Sequence, residues 1–252
     1  MSYVFVSDYD GTLYIDEEVT ETVLESIHEF KEQGNHFGIC TGRNIHSIQK
    51  EIDKFQIPVD FVIGNNGGVV LNSKGEEIFT STITTEIAEA MTEILEEYDI
   101  IFYGVSDGYH LARIYREGEE VTRAEDPEEF KVILKNGPCG FYMKMAEEKD
   151  AIHLANRINE LYADYDIVAF ANDDYVDIGK KGVDKATGIQ TIVDYYKWND
   201  EVVAIGDSYN DIPMLREFYS FGMSHGVEAI RKHANHLVDT VADAIKHVNM
   251  QK

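Results

Sequence analysis

The sequence predicts an α/β core built on a doubly wound parallel sheet and interrupted by an α+β insert. Three observations carry this expectation. Short apolar runs alternate with amphipathic helical patterns at both ends of the chain. Several of the runs stop at a polar residue, where strands of an open sheet deliver side chains to a site. Thr41 and Lys185 are separated by 143 residues, far more than the roughly 30 that a βαβ unit consumes.

Tyr3 to Ser7 reads as a buried parallel strand ending at Asp8. Val23, Leu24, Ile27 and Phe30 share a helical face, and Gly34 is placed to end that helix. His36 to Cys40 is a second strand. Ile45, Ile48, Ile52 and Phe55 then repeat at helical spacing until Pro58 forbids continuation. Phe61 to Ile63 is a third strand, followed by the turn Gly64-Asn65-Asn66-Gly67-Gly68 and a hairpin, Val69 to Asn72 and Glu77 to Thr80. The pattern changes near residue 83. A helix (Ile87, Met91, Ile94, Leu95) leads to strands at Ile100 to Val105 and Tyr109 to Arg116, then to an acidic segment. A strand at Gly140 to Ala146, a helix through Ile152, Ala155, Ile158 and Leu161, and strands at Ile167 to Ala171 and Tyr175 to Ile178 complete the insert. Parallel alternation resumes with a helix (Ile189, Ile192, Val193, Tyr196) and strands at Val202 to Ile205, Tyr219 to Met223 and Leu237-Val238. Residues 1–82 and 179–252 are thus assigned to the core and 83–178 to the insert.

The net charge of −25 excludes nucleic acid and anionic membrane as expected partners, because such a surface repels phosphate backbones and lipid headgroups. Glu86 to Glu97 and Glu117 to Glu129 read as solvated helix faces. No apolar run approaches the roughly 20 residues of a membrane span. The N-terminal run is too short for a signal peptide, and two cysteines, Cys40 and Cys139, suggest no disulfide framework. The expected location is the cytoplasm. The sequence leaves the oligomeric state open.

Asp8-Tyr9-Asp10-Gly11-Thr12-Leu13 places two carboxylates at i and i+2 just past a strand. By itself the Asp-Gly pair is equally a turn. Its chemical reading is one carboxylate attacking phosphorus and a second protonating the leaving oxygen and then activating water. Gly206-Asp207-Ser208-Tyr209-Asn210-Asp211 repeats the logic at another strand end, although Asp207 or Asn210 there also fits a helix N-cap. Gathering Asp8, Asp10, Asp207 and Asp211 at one sheet edge demands a cation. An oxygen-only donor set suits Mg²⁺ better than zinc. Thr41-Gly42 supplies a hydroxyl and a backbone N–H, and Lys185, ahead of a helix, can reach a phosphate as a point charge. His233 and His236 read as surface residues.

These four pieces, in this order, resemble the haloacid dehalogenase-like hydrolase superfamily over the whole chain, and within it the Cof-type branch. The carriers are Asp8 to Thr12, Thr41-Gly42-Arg43, the Asn-Gly segment, Gly182-Val183-Asp184-Lys185 and Gly206 to Asp211. The resemblance implies a Rossmann-like core with a cap inserted at the second of the superfamily's two cap positions. It implies Asp8 as nucleophile and Asp10 as general acid/base. Mg²⁺ would be held by Asp8, the Asp10 carbonyl and Asp207, with Asp211 supporting a bound water. Thr41, Gly42, Lys185, Asn210 and the backbone of Tyr9 would grip phosphate, with Arg43 and Asn66 beside the substrate. The implied activity is that of a phosphatase acting on a small phosphorylated metabolite, a sugar phosphate or similar. Met223-Ser224-His225-Gly226 departs from the branch pattern Met-Gly-Asn-Ala, so His225 stands where Asn is usual. The rival readings are a phosphomutase of the same superfamily, a signalling receiver domain and a silent binding module. A receiver needs an Asp at the end of its third strand, and none follows Ile63.

Overall fold

β1 (Tyr3–Ser7) is buried along its whole length, which is why its residues show no polar alternation. The computed structural model describes residues 2–117 and 120–250. α1 (Glu21–Glu32) starts at Thr20, whose side chain accepts from the Val23 N–H, and buries Val23, Ile27 and Phe30. β2 (His36–Cys40) follows. α2 (Ile45–Phe55) is capped by Asn44 and buries Ile45, Ile48 and Ile52. β3 (Phe61–Gly64), β4 (Val69–Leu71) and β5 (Glu77–Thr80) end this stretch.

Next come α3 (Thr85–Leu95), β6 (Ile100–Ser106), β7 (Leu111–Glu117), β8 (Glu120–Glu125) and α4 (Pro127–Asn136). β9 (Gly140–Met145), α5 (Glu148–Leu161), β10 (Ile167–Asn172) and β11 (Tyr175–Lys180) continue the chain. The last stretch holds α6 (Lys185–Tyr196), β12 (Glu201–Gly206), α7 (Ile212–Glu217), β13 (Tyr219–Met223), β14 (His236–Val238) and α8 (Val241–Asn249).

The chain forms two compact units, Met1–Phe79 with Asp184–Lys252, and Thr80–Val183. The first holds a sheet in the order β14-β13-β12-β1-β2-β3-β4-β5. It is parallel from β14 to β3, and β4 runs antiparallel to β3. Ser7 is in register with Ile205 of β12 and Ile39 of β2. The carboxyl ends of these three adjacent strands therefore deliver Asp207, Asp8 and Thr41 side by side. The second unit holds an antiparallel sheet, β10-β11-β9-β6-β7-β8, with a core that includes Met91, Leu95, Phe141, Met143, Leu154 and Ile158. Among the described residues no helix is long and apolar enough to cross a membrane.

Two expectations need correction. The span Glu117 to Glu129 is not one helix face: Glu117 closes β7, Glu120–Glu125 is an edge strand, and only Glu128 and Glu129 enter a helix. Gly118 and Glu119 lie outside the described residues. An exposed edge strand shows no apolar alternation, and its charges block further pairing. The face of α5 is also turned. Ala151, Leu154, Ala155 and Ile158 are buried, while Ile152 and Leu161 are exposed. Beyond these, α8 closes the first unit through buried Val241, Ala244, Ile245 and Val248.

Candidate active site

Asp8 leaves β1 with its N–H donating to the Ile205 carbonyl at 3.0 Å, and its side chain is buried. Lys185 opens α6, whose start is set by a capping box in which Asp184 accepts from the Thr187 N–H and Thr187 accepts from the Asp184 N–H. The Lys185 Nζ is fully buried and lies 2.5 Å from Asp8 Oδ1 and 2.6 Å from Asp211 Oδ1. The other Asp211 oxygen accepts the N–H groups of Asp207 and Ser208, both at 2.9 Å. Asp211 is thus anchored from both sides, and the capping partner of Ser208 is Asp211. Asp207 accepts from Thr12 Oγ1 at 2.8 Å and from Ser208 Oγ at 2.9 Å.

Asp8, Asp207 and Asp211 each offer an oxygen within 4.8 Å of the others. Three carboxylates are therefore gathered together, and one ammonium, that of Lys185, pairs with two of them. Burial above all, with the Asp211 and Asp207 carboxylates, pushes the Asp8 carboxyl up to about 8 against the opposing pull of Lys185. For Lys185 burial works against the charge, but the Asp211 and Asp8 carboxylates outweigh it and hold the ammonium above the ordinary lysine value. The cluster lacks positive charge, and its donors are all hard oxygens. A divalent cation of the Mg²⁺ class fits both facts.

The carboxylate of Asp10 lies apart from this cluster. It takes a bidentate fork from Arg43, Nε to Oδ2 at 2.8 Å and Nη2 to Oδ1 at 2.6 Å. Thr41 is buried, donates its N–H to the Ile63 carbonyl and accepts the Arg43 N–H on its hydroxyl. Gly42 faces the Asn66 side chain, whose oxygen accepts from Asn210 Nδ2 at 3.0 Å. The carbonyl of Tyr9 accepts the N–H groups of Thr12, Leu13 and Tyr14, which curls the loop after Asp8. His225 Nε2 lies 2.8 Å from the Gly11 carbonyl, so it braces the same loop. The sequence reading gave no role to Thr12, Ser208 or Glu51. Thr12 was visible as part of the Asp8 motif, whereas Glu51 is one acidic helix residue among many.

Gly11 and Gly67 combine a left-handed backbone with close approach. At Gly11 (φ +80°) a Cβ would stand 2.7 Å from Asp207 Oδ2. At Gly67 (φ +101°) it would stand 2.1 Å from the backbone oxygen of Asp184, the residue that caps α6. Gly67→Ala is expected to cost at least ~1–2 kcal/mol from the left-handed backbone alone, and more from displacing the start of α6. Denaturant unfolding checks this; an unchanged midpoint would mean that the turn yields freely.

The model of the haloacid dehalogenase-like hydrolase family matches residues 5–248. The chain is 24% identical over 256 residues to the 5-amino-6-(5-phospho-D-ribitylamino)uracil phosphatase YitU of Bacillus subtilis, covering 94% of this chain and 92% of that one. The solved structure of the phosphatase BT1666 from Bacteroides thetaiotaomicron superposes with a TM-score of 0.81 at 23% identity, covering 99% of this chain and 95% of that one. That of BT4131, described as a subclass IIB sugar phosphatase, gives 0.80 at 19%, covering 99% and 100%. With a family match from residue 5 to residue 248 and the same fold in solved relatives, the chain belongs to the haloacid dehalogenase-like hydrolase family.

Proposed function

We propose that this hydrolase is a Mg²⁺-dependent phosphatase that cleaves small phosphorylated metabolites, sugar phosphates or similar, through an aspartyl-phosphate on Asp8. The chain is a phosphoric monoester hydrolase by class, as its family match and phosphatase relatives indicate. The observation that carries the finer reading is the buried Asp8, held by Lys185 beside two further carboxylates. In the first step an Asp8 oxygen forms a bond to phosphorus. The bond to the leaving oxygen breaks, and that oxygen keeps the electron pair and takes a proton from Asp10. In the second step a water oxygen bonds to phosphorus and its proton passes to Asp10. The phosphorus–Asp8 bond breaks, and its pair returns to the carboxylate.

Asp8, Asp207 and the Asp10 carbonyl would hold the cation, and Asp211 would support its hydration. Bound there, it supplies positive charge that favours ionised Asp8 and offsets charge on the transferring phosphoryl group. Lys185 keeps Asp8 oriented and carries charge towards the phosphate. Thr41, Gly42, Asn210 and the Tyr9 backbone donate to its oxygens, while Arg43 and Asn66 flank the substrate. All these residues lie in the first unit. Substrate choice is assigned to the second, as a cap. The sugar-phosphate reading draws support from BT4131, described as a sugar phosphatase, and YitU acts on a phosphorylated ribityl compound.

The test is release of free phosphate from a panel of phosphorylated metabolites. Release is expected with Mg²⁺, and loss in chelator. Ca²⁺ should inhibit, since it accepts 6–8 ligands and takes carboxylates bidentate, which occupies the attacking oxygen. Full rates in chelator, or equal rates with Ca²⁺, would remove the metal from the mechanism. Phosphate moved only to a second position on the sugar would identify a mutase.

A further inference from the structure

Asp10 must carry a proton to the leaving oxygen, yet it is the most exposed of the proposed catalytic groups, with about half its side-chain surface accessible. A carboxylate in that setting keeps its place only if something rigid holds it. The Arg43 fork makes two bonds to it, one of which is given up when that oxygen carries the proton, and an arginine side chain itself has up to ~2 kcal/mol of rotamer freedom to lose. What removes that freedom lies behind the guanidinium. Glu51 Oε1 is 3.3 Å from Arg43 Nη1, while Glu51 Oε2 accepts from the Tyr9 hydroxyl at 3.1 Å. The guanidinium carbon sits 4.8 Å from the Tyr9 ring centroid and 5.8 Å from that of Tyr14. The two rings are stacked at 5.2 Å, and Tyr9 is completely buried.

Glu51 is placed by α2, one residue before buried Ile52. Half-burying a carboxylate beside the apolar face of a helix is costly unless both oxygens are used, and here both are. One fixes the ring beneath Arg43 and the other fixes the guanidinium.

We propose that Glu51 is a positioning residue for Asp10, acting through Arg43. The inference rests on the reading of Asp10 as general acid given above. It predicts a dependence on the leaving group. An alkoxide oxygen leaving phosphorus needs the proton from Asp10, whereas 4-nitrophenolate keeps the electron pair of the broken bond unaided. The ratio kcat/KM reports the steps up to the first bond cleavage, so the later use of Asp10 as base does not enter it.

The experiment compares Glu51→Gln with wild type on 4-nitrophenyl phosphate and on an alkyl phosphate that the wild type hydrolyses, such as glucose 6-phosphate. Glutamine has the same shape and lacks only the charge. The expected result is a fall of ~10–100-fold in kcat/KM for the alkyl ester, part of the ~10²–10⁴ a general acid supplies. The aryl ester should stay within about twofold. Glu51→Asp, which keeps the charge but is one methylene shorter, should show the same selective loss, and it serves if the glutamine variant folds poorly. Equal losses on both esters, or none on either, would overturn the inference. A wild-type protein that releases phosphate from neither ester would instead bring down the phosphatase reading and this inference with it.

Discussion

Asp8→Asn is expected to fold and to lose turnover by about 10⁶-fold, the scale seen when a covalent hydrolase loses its nucleophile. The amide oxygen has the shape of the carboxylate but does not attack phosphorus. Phosphate release under saturating Mg²⁺ measures this, and a folded variant with near-normal turnover would take Asp8 out of the mechanism. The same variant carries a stability signature. Because the Asp8 carboxyl is raised to about 8 in the folded chain, it contributes stability that is fully present below about 3.8 and is lost as pH rises through 8. In chelator, wild-type stability should therefore decline across that window more steeply than that of Asp8→Asn, and the variant should melt higher above pH 8. Each kcal/mol is worth roughly 2–4 °C in a chain of this length.

Lys185→Met should show the second large effect, and on stability as well as rate. Its ammonium is the positive charge that holds both Asp8 and Asp211, and all three side chains are buried. Removing one partner of a buried ionic set leaves the rest uncompensated, at a cost of about 3–5 kcal/mol. The melting temperature should fall by roughly 6–20 °C, and saturating Mg²⁺ should restore part of it. Turnover in the folded fraction should drop by ~10²–10³, the usual consequence of losing one charge-stabilising donor. Calorimetry and phosphate release on the same sample separate the two effects. A melting point within a degree or two of wild type would show that the carboxylates are balanced by something other than Lys185.

Much of the first unit was legible because its central strands are buried along most of their length. Tyr3–Ser7 and Val202–Ile205 read as strands from apolar continuity alone, and the polar residue ending each run marked the sheet edge. The second unit was less legible where its surface is exposed. β8 carries charge on an open edge and buries nothing fully, so no periodicity announces it. The apolar residues of α5 outnumber those it buries, so counting them at helical spacing selected a face offset from the true one.

The sequence by itself determined which chemistry this protein can hold: two Asp-rich strand ends, a Thr-Gly turn and a lysine at a helix start, in the order of one hydrolase family. Strand ends and helix starts are local, so chain order and hydrophobic pattern suffice to locate them. Only the tertiary structure decided what those side chains do to one another. The parallel register of β12, β1 and β2 sets Asp207, Asp8 and Thr41 side by side. The capped start of α6 brings Lys185 across 177 residues of sequence to Asp8. The same holds for Arg43, which reaches Asp10 from 33 residues away with Glu51 and Tyr9 behind it. Distances of a few ångströms between remote residues set the charge balance of a buried site, and the sequence alone does not encode those distances in any local pattern.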